Sequence, residues 1–92
     1  MNSHVADMTF STGHNLTSGL VRSGAPELPE GFSYRLHIEH GDGPARVTAR
    51  LGYLSNDEWV ECARFTEVTR ANLQGATVAA CVHAHELWQE NR

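Results

Sequence analysis

Lysine is absent from the 92 residues, and all seven cationic side chains are arginine. Ile38 is the only isoleucine, and because lysine and isoleucine codons are both rich in A and T, we attribute the bias to a GC-rich coding sequence. The functional alternative is selection for the forked, bidentate donors that arginine offers at an interface. The net charge of −4 argues against wholesale binding of phosphate, for which a basic domain is expected.

Cysteine and long apolar runs are also scarce. The two cysteines, Cys62 and Cys81, show no local spacing, which excludes a disulfide scaffold and fits buried thiols in a reducing compartment. No apolar run approaches the roughly 20 residues that span a bilayer. The first residues lack the basic region and apolar stretch of a signal peptide. We therefore expect a cytoplasmic protein of one domain that does not enter a membrane.

The N-terminal third of the chain has the composition of turns and loops. Residues 24–31 form a connector rich in proline and glycine, and no helical periodicity precedes it. The stretch from Val5 to Phe10 is the one candidate for a short edge strand, although its apolar residues do not alternate cleanly. Residues 1–31 are accordingly interpreted as a flexible arm or linker, and residues 32–92 as a single α+β domain.

A β-hairpin is the element that the sequence indicates most clearly. Apolar residues alternate over residues 34–40 and again over residues 45–53, with Gly-Asp-Gly-Pro at 41–44 between them. If residues 41–44 form the loop, Ile38 faces Val47 and Tyr34 faces Leu51. Apart from His40, which faces Ala45 at the turn, every residue of this face then meets an apolar partner. A slip of one residue would place the whole set on the wrong face.

A third strand and a helix complete the predicted domain. Residues 59–66 read as a strand whose two faces are both partly apolar, which indicates a bulge or cover on both sides. From Thr69, a plausible N-cap, apolar residues recur at helical spacing, with alanines at 76, 80 and 84. The predicted fold is a three-stranded antiparallel meander, β-β-β-α, with one C-terminal helix packed on one sheet face and a flexible N-terminal arm.

Catalytic and metal-binding motifs are weak. His83 and Glu86 stand three residues apart on the predicted helix and are the best candidates for a metal site, but a third ligand is hard to supply. The cysteines lie on elements that should be packed, and no nucleophile elbow or phosphate-cradling glycine pattern occurs. We expect no cofactor and no enzymatic activity.

The outer face of the hairpin is the candidate binding surface. Antiparallel sheets often leave such a face to solvent, so an ordinary solvated surface is the simpler explanation. The functional alternative is an anion-seeking patch on an otherwise acidic protein. Its candidate residues are Arg35, His37, Arg46, Thr48, Arg50 and Arg64.

Three functions are consistent with these features. The leading hypothesis is a small non-catalytic protein-binding module, such as an inhibitor, adaptor or immunity-type protein, for which a phage or mobile-element origin is compatible. The alternatives are a nucleic-acid-binding module that uses the arginine face and a metal protein built on His83 and Glu86. A homodimer is also predicted, because a core this small rarely suffices alone and Val60, Val78 and Val82 lie off the main apolar stripes.

Overall fold

The computed structural model describes residues 4–11 and 20–91, and these form a four-stranded antiparallel sheet with one long helix across one face. The strand order follows the chain, so each strand pairs with its sequence neighbour. The elements are β1 (His4–Ser11), β2 (Phe32–His40), β3 (Ala45–Ser55), β4 (Glu58–Thr69) and α1 (Leu73–Glu90).

The hairpin predicted from alternation is present in the predicted register. Ile38 pairs with Val47 and Tyr34 with Leu51, and the alternating apolar residues over 34–38 and 47–51 are buried. The second connection is tighter than the sequence indicated, because only Asn56 and Asp57 separate β3 from β4. Both have positive φ, 52° and 66°, as a two-residue turn that matches the sheet twist requires.

The mixed pattern of the last strand is explained by a β-bulge. The pairing of β3 with β4 shifts between Leu51 and Gly52, so that Leu51 pairs with Ala63 while Gly52 pairs with Glu61. Cys62 is the extra residue, and it packs with Ala63 on the helix side. In β4, the residues before the bulge point to the opposite face from the one that a strict two-residue period would predict. The sequence pattern alone therefore assigns the faces of this strand incorrectly.

Helix α1 lies over β3 and β4 and approaches them closely. Its buried residues are small, namely Ala76, Ala80, Cys81 and Ala84. The helix begins later than the sequence indicated, because the N-cap is Asn72, whose side chain accepts a hydrogen bond from Gly75 N at 2.8 Å. Thr69 instead closes the preceding turn by accepting a bond from Asn72 N at 3.1 Å.

The prediction of a three-stranded sheet was wrong, because β1 adds a fourth strand. All eight residues of β1 pair with β2 in an unbroken antiparallel register from His4↔His40 to Ser11↔Ser33. The apolar alternation was unclear because residues 4–9 are exposed, so burial does not impose an apolar pattern on either face.

The segment between β1 and β2 contributes to the core in its second half. Leu20, Ala25 and Leu28 are buried beside the sheet, and the Tyr34 hydroxyl donates a hydrogen bond to Pro26 O at 2.8 Å. The interpretation of residues 1–31 as an arm did not include this packing, because three apolar residues at irregular spacing have no recognisable period. For residues 12–19 that interpretation lies outside the described residues.

Candidate functional site: the open sheet face

Among the residues that the structure describes, the sheet has one covered face and one open face. The helix and residues 20–31 pack on one side, against the buried residues of β2 and β3. The other side, here called the open face, carries the alternate residues of all four strands. They are Val5, Asp7 and Thr9; Ser33, Arg35, His37 and Glu39; Arg46, Thr48, Arg50, Gly52 and Leu54; and Trp59, Glu61, Arg64, Thr66 and Val68.

Three arginines stand side by side in the middle of the open face. Arg35 on β2 pairs with Arg50 on β3, and Arg50 pairs in turn with Arg64 on β4. We call this line the arginine row. Neighbouring strands lie about 4.8 Å apart, and like charges directly opposite each other destabilise a sheet. The arginine row therefore destabilises the sheet locally, and other contacts of the fold offset this loss of stability.

Glu61 neutralises part of the row. Its carboxylate accepts two hydrogen bonds from Arg64, at 2.9 Å from Nε and 3.1 Å from Nη2, and lies 4.0 Å from Arg50 Nε. These contacts raise the pKa of Arg64 above its usual value. Glu61 reaches this face only because the bulge inverts the alternation of β4. Three arginines against one carboxylate leave the row with a net charge of about +2.

Trp59 covers the β2 end of the row. The Arg35 guanidinium lies 4.1 Å from the centre of the indole ring, within the range of a cation–π interaction. The ring also lies over Gly52, where an added Cβ would be 2.8 Å from Trp59 Cζ2. Within the described part of the chain, Arg35 Nε and Trp59 Nε1 are shielded from solvent without a hydrogen-bond partner. Unpaired donors of this kind are costly and mark an unusual surface.

His37 joins β1 to β2 on the same face. Its Nδ1 lies 2.7 Å from Asp7 Oδ1, and its Nε2 lies 3.1 Å from Glu39 Oε1. Both ring nitrogens can donate at once only when the imidazole is protonated. The hydrogen bond and charge of Asp7, with a smaller contribution from Glu39, raise the pKa of His37.

A shallow depression of about 250 Å³ lies between the arginine row and the adjacent row of residues. It is lined by His37, Thr48, Arg50 and Arg64. The Thr48 hydroxyl is 2.9 Å from that of Thr66, so one of the two hydroxyls donates to the other. The depression is open rather than enclosed, unlike the clefts that bury most of the surface of a small molecule.

All six residues predicted for the binding surface lie on the open face. The structure brings His37, Thr48, Arg50 and Arg64 together around the depression. Arg35 stands beside them in the arginine row, whereas Arg46 lies towards the β2–β3 turn. Sequence reasoning missed Trp59 and Glu61, and the only available signal was the ambiguous alternation that the bulge explains.

The three predicted interface valines have different surroundings. Val60 lies on β4 at the sheet edge and is 36% exposed. Val78 is half-buried beside Gly24, so the chain's own connector lies against it, and Val82 is half-buried on the helix. The homodimer itself stays a prediction.

The helix residues proposed as weak metal ligands are engaged with their own neighbours. His83 Nδ1 lies 3.2 Å from Glu86 Oε1, and the His83 ring stands 4.6 Å from that of Phe65. Across residues 4–11 and 20–91, no group of three or more His, Cys, Asp or Glu side chains could hold a metal ion.

No protein-family model, curated protein or solved structure matches this chain. Within the described ranges, no helix is both long and apolar enough to cross a membrane.

Proposed function

We propose that this protein is a small non-catalytic protein-binding module whose open face binds an acidic surface of its partner. The arginine row carries the proposal. Three guanidinium groups on adjacent strands repel one another in the free protein, and Glu61 neutralises one charge. A partner carboxylate placed over the depression would relieve that repulsion and accept the forked hydrogen bonds that arginine offers. An inhibitor, an adaptor or an immunity-type protein could each use such a surface.

The composition around the row favours a protein as the partner. Arginine and tryptophan are enriched where protein interfaces concentrate their binding energy, and Arg35 and Trp59 stand in contact here. Leu54 pairs with Trp59 on the same face and is 59% exposed. Association with a protein would bury this apolar area, which a sugar–phosphate backbone would not match.

The charge balance of the open face disfavours nucleic acid. Four arginines stand against three carboxylates (Asp7, Glu39 and Glu61), a net charge of +1 before His37 is counted. Two of those carboxylates hold His37, and the third holds Arg64. Binding to a duplex derives mainly from neutralised phosphates, and this face can neutralise few.

The test compares two arginine variants of equal net charge. Arg50→Gln removes the central member of the row, whereas Arg70→Gln removes an exposed arginine between β4 and α1. Each variant and the wild type are titrated with the peptide Glu-Leu-Glu-Leu-Glu, with its glutamine counterpart and with a random 20-base-pair duplex. Isothermal calorimetry or fluorescence anisotropy at two salt concentrations gives the affinities.

We expect the glutamate peptide to bind the wild type and Arg70→Gln with equal affinity. Its affinity for Arg50→Gln should be about fivefold to tenfold lower. That loss corresponds to one or two charge-assisted hydrogen bonds on an exposed surface. Equal weakening by both substitutions would show a bulk-charge effect and contradict the site. Tighter binding of the duplex than of the peptide, with a steep loss in salt, would instead favour a nucleic-acid partner.

A further inference from the structure

In the described part of the chain, residues 4–9 of the edge strand β1 are exposed on both faces, and only Phe10 packs against the core. On the open face Val5 is 60% exposed, and on the helix side Met8 is 40% exposed. Helix α1 packs over β3 and β4, at the other end of the sheet. Among the described residues, the outward backbone groups of β1 also have no neighbouring strand. Strand β1 therefore exposes side chains on both faces and unpaired backbone groups along its outer edge.

The other edge of the sheet is protected in ways that β1 is not. Strand β4 carries a bulge and four charged residues, namely Glu58, Glu61, Arg64 and Glu67. Bulges and charges are the usual devices that prevent edge-to-edge pairing. Strand β1 has an unbroken register with β2, and its one acidic residue, Asp7, is drawn towards His37 by the 2.7 Å contact.

We propose that β1 pairs with β1 of a second copy of this chain, antiparallel about a two-fold axis, to form a continuous eight-stranded sheet. A pairing that keeps both open faces on one side joins residues of the same face. Centring it on Asp7 would oppose two carboxylates, which is unfavourable. Centring it on Met8 pairs residues 5–11 of each strand and places Asp7 opposite Thr9, with no like charges in register.

The small size of the core also favours association of β1 with a second copy of the chain. Of the thirteen buried apolar residues in the described chain, five are alanine. So small a core rarely supplies more than about 3–5 kcal/mol alone, and a symmetric interface is the commonest supplement. The pairing would satisfy the outward backbone groups of β1, bring the two Met8 side chains together at the axis and set two arginine rows on one surface. It does not depend on the proposed partner, because the arginine row lies on β2–β4.

Sedimentation equilibrium on the full chain tests the pairing. Val5→Lys and Met8→Lys place cations on the two faces of β1, and Met8→Lys sets two of them against each other at the axis. Leu54→Lys is the matched control, because Leu54 is 59% exposed and Val5 is 60% exposed. The wild type should approach twice the chain mass of 10.1 kDa at high micromolar concentration. Each β1 variant should weaken association about tenfold, and Leu54→Lys less than about twofold.

Amide hydrogen exchange locates the interface independently of any variant. Protection of residues 4–11 should rise with protein concentration, while that of residues 58–69 stays constant. A monomer at every concentration would overturn the proposal, and so would a dimer that Val5→Lys and Met8→Lys leave intact. Concentration-dependent protection of β4 instead of β1 would overturn it as well, since it would place the contact at the other edge.

Discussion

Replacement of Gly52 by alanine tests how the open face is built. Gly52 lies at the bulge, and its φ is not in the left-handed region, so the requirement for glycine is steric. A Cβ there would overlap Val60 O, approach Trp59 Cζ2 to 2.8 Å and lie 3.1 Å from Glu61 Cα. The Val60 carbonyl belongs to β4 and can retreat only if the strand pairing is disturbed. The indole must also leave its place beside Arg35.

The expected cost follows from these two displacements. Forcing an extra carbon into a packed site typically costs about 1–3 kcal/mol. Loss of the contact between Arg35 and Trp59 adds about 0.5–1 kcal/mol for a half-exposed pair. We therefore expect Gly52→Ala to destabilise the protein by about 1.5–4 kcal/mol. In a domain of this size each kcal/mol lowers Tm by about 4–8 °C.

Urea denaturation followed by circular dichroism measures the change in stability. Trp59 fluorescence, recorded with Trp88 replaced by phenylalanine, reports whether the indole has moved. Gly43→Ala in the β2–β3 turn is the control, because a Cβ there meets no atom within 4 Å, and it should change stability by less than about 0.5 kcal/mol. If Gly52→Ala were as stable as Gly43→Ala with unchanged Trp59 emission, the described packing of Trp59 would be wrong.

Three further outcomes follow from the structure. Because the pKa of His37 is raised, its protonated form stabilises the β1–β2 contact fully below about pH 6.5, and this stabilisation disappears as pH rises through the raised pKa. The pH dependence of amide exchange in residues 4–11 should accordingly be smaller in His37→Gln. Asn72→Ala removes the acceptor for Gly75 N and should cost about 1 kcal/mol in urea denaturation, with Gln74→Ala as the near-neutral control. Burial raises the pKa of Cys81 to about 12, so at pH 8 a thiol reagent should modify the half-buried Cys62 first; equal rates would contradict the burial of Cys81.

The parts of the fold that sequence predicted are those where one face is buried. The β2–β3 register follows from alternation, because Leu36, Ala49 and their neighbours must share the covered side. The alanines of α1 are equally informative, since a close approach of helix and sheet requires small residues there. Both patterns are imposed locally by burial, and both can be read without knowledge of the rest of the chain.

The parts that sequence missed depend on contacts between distant segments. Strand β1 is held by pairing with β2, more than twenty positions along the chain, and exposure on both faces removes the apolar signal. The bulge at Cys62 inverts the faces of the residues that precede it in β4, which is why Trp59 and Glu61 were not assigned to the arginine row. The row itself was predicted as a patch, but its partial neutralisation by Glu61 was not.

The most direct test of the central claim is an NMR titration of the labelled protein with the glutamate peptide. The side-chain Nε–Hε signals of Arg35, Arg50 and Arg64 and the Trp59 indole signal should shift in a saturable way. The chemical shifts of the backbone amides of α1 should not change. The account would be contradicted if the peptide bound while the arginine-row and Trp59 signals remained unchanged, with the shifts confined to α1 or to the β2–β3 turn.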